Sequence, residues 1–152
     1  MELQVRDARM TDIDRIVGLM DRAAARWTHD QLTDAADSLR QMLYLPNASV
    51  IMCLDGRMVL GMGVLAVRPS VSANGLVGTV DLLLVEPGHE LTGVIDSLLT
   101  ELMRQARNKG CVALEGSVPD EPADLARWES AGFKDSGPRM SRSLVRSAVP
   151  SW

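Results

Sequence analysis

Between Val80 and Val94 the chain gathers the side chains whose types could do chemistry: Asp81, Glu86, His89, Glu90 and Thr92. Asp81 is the one acid inside the apolar run Val80–Val85, where desolvation would strengthen its hold on a proton and suit it to proton transfer. A strand-start aspartate bonded to a neighbouring backbone is the plainer account of the same residue. Glu86, at the end of the run, is the second acid to consider. His29 and His89 are the only histidines; they stand far apart with no cysteine or acidic cluster around either, which argues against a metal site. Cys53 and Cys111 lie in apolar runs without metal-ligand spacing and read as buried thiols of a reducing compartment. Neither G-x-S-x-G nor G-x-x-x-x-G-K-[ST] occurs, so serine nucleophiles, phosphate-binding P-loops and Cys–His dyads are set aside.

These residues need elements to position them. Leu76 to Val85 reads as a strand buried on both faces, because its VDLLLV stretch is nearly continuously apolar. After the loop from Glu86 to Thr92, Val94, Ile95, Leu98, Leu99, Leu102, Met103 and Ala106 form one helical stripe. Arg104, Arg107 and Lys109 suit its C-terminal end, and Gly110 stops it. Cys111 to Val118 reads as the next strand, so residues 76–118 form a strand–helix–strand unit with a right-handed crossover between parallel strands.

Upstream, Glu2 to Asp7 alternates as a strand, and Thr11 and Asp12 offer capping oxygens to a helix bearing Ile13, Ile16, Met20 and Trp27. A second amphipathic helix carries Leu32, Ala36, Leu39 and Leu43 and ends before Pro46. Ser49 to Leu54 and Met58 to Val67 are antiparallel partners about the hairpin dipeptide Asp55-Gly56. Gly61 and Gly63 mark a bulge or bend, and Pro69 to Gly75 is a loop. Downstream, Asp120 is expected to cap a helix through Ala131, closed by Gly132. Short strands near Phe133 and from Met140 to Val145 would finish a single domain of residues 1–146, leaving 147–152 as a tail.

A chain of 152 residues that is 46% apolar with net charge -4 fits one ordinary globular domain, not a disordered or nucleic-acid-binding protein. Few aromatics also disfavour base stacking. There is neither a signal-peptide pattern nor an apolar run near the roughly 20 residues that cross a bilayer, so no membrane partner and a cytoplasmic location are expected. Met10, Met20, Met42 and Met58 read as core filler, and Arg139, Arg142 and Arg146 as a solvated basic edge.

The order of strand, two helices, three antiparallel strands, long helix, parallel strand, helix and closing hairpin resembles the GNAT superfamily of acyl-CoA-dependent N-acyltransferases over nearly the whole chain. Three local features carry the likeness: Leu84-Val85-Glu86-Pro87 before a glycine-containing loop, Leu98-Leu99 in the helix that follows, and Trp128, Glu129, Gly132 and Phe133 near the C-terminus. The resemblance implies an α/β (α+β) fold, a mixed and mostly antiparallel sheet flanked by helices. It implies acetyl-CoA as co-substrate, pantetheine along the backbone of Leu83, Leu84 and Val85, and phosphates cradled from His89 through Thr92 and Gly93 to Val94. Uncompensated amides and the helix dipole make such an anion seat without any particular side chain.

The chain departs from the family pattern at the loop. Counting back from Leu98-Leu99, Glu90 stands at the usual Arg or Gln position, and Leu91 and Ile95 at two glycine positions; Gly93 is kept. A carboxylate about 6 Å from a phosphate would weaken its binding roughly 3-fold to 100-fold. By the same resemblance Asp81 or Glu86 is the catalytic base, and the position of the family's tyrosine acid is held by Trp128, which is no proton acid near neutral pH. Tyr44, the only tyrosine, lies far from that motif. The reading is an N-acetyltransferase moving an acetyl group directly to a primary amine of a small molecule or peptide. The rival is a catalytically degenerate GNAT-like sensing or protein-interaction domain; a homodimer is compatible with either.

Overall fold

The computed structural model describes residues 2–24, 26–90, 92–137 and 139–144; Leu91, Arg146 and the expected tail 147–152 lie outside them. Five strands form one sheet: β1 (Leu3–Asp7), β2 (Ala48–Asp55), β3 (Met58–Ser70), β4 (Gly75–Val85) and β5 (Cys111–Gly116). Their order in space is their order in the chain; the first four are antiparallel and β5 runs parallel to β4. Helices α1 (Ile13–Ala23) and α2 (His29–Met42) cover one face, while α3 (Val94–Asn108) and α4 (Pro122–Ser130) lie on the other. The mixed, mostly antiparallel α+β architecture expected from the sequence is the one observed.

The sheet is apolar on both faces because its central strands alternate between two cores. Along β2, Val50, Met52 and Leu54 face α1 and α2, while Ile51 and Cys53 face α3. In β4, Leu82 and Leu84 pack toward α1 and α2, and Leu83 and Val85 toward α3, so the continuous apolar run is divided between two cores. Gly61 and Gly63 let α3 sit close on β3: a Cβ at Gly61 would lie 2.6 Å from Val94 Cγ1 and 2.9 Å from Leu98 Cδ1. The expected bulge is there too, since Cys53 pairs with Gly61 and Leu54 with Val59, which leaves Leu60 over.

Four local expectations need correction. Asp12 does not cap α1 with its side chain; the nearly buried carboxylate turns back to accept from the Arg9 amide at 2.9 Å and Arg6 Nη1 at 2.7 Å. The last helix has Glu121, not Asp120, at its N-cap position, without a side-chain capping bond, and Pro122 in its first turn. No strand forms among the described residues from Phe133 to Leu144. Phe133 is drawn edge-on against Trp128, with ring centroids 4.8 Å apart, and Gly132 and Gly137 turn the chain with positive φ. Met140 and Leu144 find no apolar surface and are 98% and 89% exposed. Met10 and Met58 are likewise exposed, not core, whereas Met20 is buried.

Candidate active site

Where β4 parts from β5, the sheet opens. The parallel pairing runs from Leu76 opposite Cys111 to Val80 opposite Gly116 and stops, but β4 continues to Val85 along β3. Residues 81–85 therefore present backbone donors and acceptors on the β5 side with no strand partner among the described residues, an edge ready to take an extended ligand. The parting has a steric anchor. Trp128, 8% exposed, stacks on Gly116 so closely that a Cβ there would lie 2.9 Å from its ring. Trp128 is thus a packing residue at the fork.

Asp81 sits at the opening itself. Val64 pairs with Leu82 and Leu65 with Val80, so Asp81 is the extra residue of a bulge. The sequence pattern places it within a buried strand; in the structure it is exposed, because the strand that would have covered this edge has turned away. No hydrogen bond or ion pair holds its carboxylate among the described residues. Glu86 lies at the other end of the free edge, about 16 Å along the strand. It faces α1, where Arg22 Nε donates to both carboxylate oxygens at 3.0 Å and Nη2 approaches at 2.9 Å. That pair lines a cleft of about 340 Å³ with Asp14, Gly18 and Met58. The two acids serve different places.

The free edge leads into the loop before α3. Gly88 and Gly93 both have φ of 87°, and Gly93 is the N-cap residue of α3. Ile95, which stands at a glycine position of the pattern, buries its side chain in the α3 core, as does Val94; neither blocks the amides of the first turn. Thr92 is committed locally, its hydroxyl donating to the His89 carbonyl at 2.7 Å, so to a ligand it offers oxygen lone pairs and no proton. His89 Nδ1 is shut from solvent without a hydrogen-bond partner, an orphaned polar atom in the loop. Glu90 is exposed. The arrangement thus fits an acyl-CoA by its backbone: an open strand edge for an extended amide chain, running into a helix N-terminus for its phosphates.

The family model described as acetyltransferase (GNAT) matches residues 16–133. The chain belongs to the GNAT acetyltransferase family. No curated protein matches it significantly in sequence, but many solved structures share its fold. A transcriptional regulator from Bacillus halodurans superposes with a TM-score of 0.81 at 17% identity, covering 94% of this chain and 100% of that one. The aminoglycoside N-acetyltransferase AAC(6')-Iy, solved with a bisubstrate analogue of CoA, gives 0.79 at 16% identity over 95% and 99%. Glucosamine-6-phosphate N-acetyltransferase from Arabidopsis thaliana gives 0.74 at 12%, over 95% and 100%. Identities this low speak for the fold alone.

Two features of this GNAT chain escape a reading of its sequence. One is the Arg22–Glu86 pair, which joins residues of α1 and β4 that no local motif connects. The other is a trench of about 780 Å³ on the free side of β5, between Leu114, Leu125, Trp128 and Phe133, which touches none of the predicted site residues. No group of three or more potential metal ligands occurs among the described residues, and none of their helices is long and apolar enough to cross a membrane. Arg139 pairs with Glu115 at 3.4 Å; of the expected basic edge, Arg146 lies outside the described residues.

Proposed function

We propose that this chain is an acyl-CoA-dependent N-acetyltransferase acting on a primary amine by direct transfer. The observation that carries the reading is the run of β4 past its last pairing with β5, an unsatisfied edge that ends at the N-terminus of α3. Acetyl-CoA supplies the activated acyl group as co-substrate. The backbone of Leu83, Leu84 and Val85 would hold the pantetheine amides, and the loop from His89 to Val94 the phosphates. Asp81, exposed and unpaired at the fork, takes the proton that the attacking amine loses as its C–N bond forms and the thioester C–S bond breaks. Edge amides beside it polarise the carbonyl. Trp128 is packed and donates no proton, so the thiolate departs as the anion or takes its proton from solvent. Glu86 holds α1 against the end of β4 through Arg22 and acts on the acceptor side of the fork.

The test has two parts. Calorimetric titration should show saturable CoA binding, and a screen of primary amines should then yield acetylation that falls about 100-fold or more in kcat in Asp81→Asn. The Glu86→Gln variant should retain kcat within about ten-fold and change the acceptor KM instead. The absence of binding at millimolar CoA would remove the reading. A second reading, a domain that binds acyl-CoA without turnover, draws on the carboxylates of Glu90 and Asp96 at the seat and on the lack of a side-chain acid; it predicts binding with no acetylated product from any amine.

A further inference from the structure

From Glu86 to Ser97 the chain carries three acids, Glu86, Glu90 and Asp96, and neither Lys nor Arg. A pyrophosphate brought to the first turn of α3 would meet a loop with net negative charge. Glu86 is turned away to Arg22, which leaves Glu90 on the loop and Asp96 in the first helical turn. The fold brings a cation to this place from elsewhere. Arg127 on α4 reaches across to α3, and its Nη1 donates to Asp96 Oδ2 at 3.1 Å. The guanidinium is confined between the two helices, its side chain 22% exposed against 56% for Asp96. The pairing brings the guanidinium to the first turn of α3, whose amides would receive phosphate.

We propose that Arg127 is the phosphate-binding cation of this site, supplied by α4 in place of a basic residue on the loop; the inference rests on the acyl-CoA reading above. In the free protein Arg127 neutralises Asp96, and with ligand present it bridges Asp96 and a phosphate oxygen, since a guanidinium has donors enough for both.

A merely structural α3–α4 strap and a phosphate-binding cation predict different signs when the pair is cut from its two ends. CoA and pantetheine, which lacks every phosphate, are titrated calorimetrically into the wild type, Arg127→Gln and Asp96→Asn at two salt concentrations, with thermal denaturation of each variant. The expected result is CoA binding weakened between about 3-fold and 100-fold in Arg127→Gln, a smaller salt dependence in that variant, and tighter CoA binding in Asp96→Asn. Pantetheine affinity should stay within two-fold throughout, a bound that absorbs general damage to α4. Equal weakening of CoA by both variants, or pantetheine falling with CoA in Arg127→Gln, would make the pair a structural strap and overturn the proposal while leaving the acyl-CoA reading in place. Wild-type protein that binds neither ligand overturns both.

Discussion

Asp81 and Glu86 have the same chemistry and opposite surroundings, because Glu86 is held by Arg22 of α1 while Asp81 stands exposed at the fork with no partner among the described residues. The apolar run around Asp81 was legible in the sequence, but its exposure was not, since no pattern within one strand tells when the adjacent strand departs. Glu86 found its partner 64 residues away in sequence, and Arg127 reaches Asp96 across 31; such pairs exist only after folding. Two further residues yield predictions. Arg6 donates to Asp12 and holds that carboxyl below the usual aspartate range. A lowered folded-state value means the stabilisation is complete above about pH 4 and lost as pH falls through that value. Urea midpoints measured from pH 6 to pH 2.5 should therefore drop for the wild type and flatten in Asp12→Asn, which starts from a lower plateau. Burial pushes the Cys53 thiol up to about 11, whereas Cys111 is raised by burial but only partly covered. Iodoacetamide at pH 8 should label Cys111 in the native protein and reach Cys53 only after denaturation, with the order read by mass spectrometry.

At the level of elements, the helical stripe of α3 and the Asp55-Gly56 turn were plain in the chain, because periodicity and turn chemistry are local. The closing strands were not, because a strand needs a partner as well as a pattern, and Phe133 is taken by Trp128 while Met140 stays in solvent. Contact between α3 and β3 depends on a missing side chain. Gly61→Ala would set a Cβ 2.6 Å from Val94 Cγ1 and 3.0 Å from the Leu84 carbonyl oxygen, so α3 must lift at its first turn. A loss of about 1–3 kcal/mol in chemical denaturation is expected, with CoA binding weakened beyond the stability effect because that turn is the proposed anion seat. Trp128→Ala empties the anchor of the fork, and a loss of about 3–5 kcal/mol is expected. An unchanged urea midpoint in Trp128→Ala would mean that the parting of β4 from β5 does not rest on this contact.

For the molecule as a whole, two cores share one sheet, and neither can come apart alone, since neighbouring residues of β2 and β3 point into opposite cores. Trp27 lies against the α1–α2 core and Trp128 against the other. Fluorescence of Trp27→Phe and Trp128→Phe proteins should each give a urea transition that coincides with loss of circular dichroism in the same variant; separate midpoints would show that the faces unfold independently. The strand order has a kinetic consequence of its own. Because every strand lies beside its predecessor in the chain, the meander β2–β3–β4 can zip through two short turns, whereas β1 must wait for α1, α2 and the loops around them, about forty residues, to be reeled in and β5 for α3 to cross the sheet. Pulse-labelled amides of Val50 to Leu65 should gain protection ahead of those in Leu3–Asp7 and Cys111–Gly116. The fork would then be the last seam to appear as the protein leaves the ribosome, and a nascent chain would acquire its ligand site only when nearly everything else is in place.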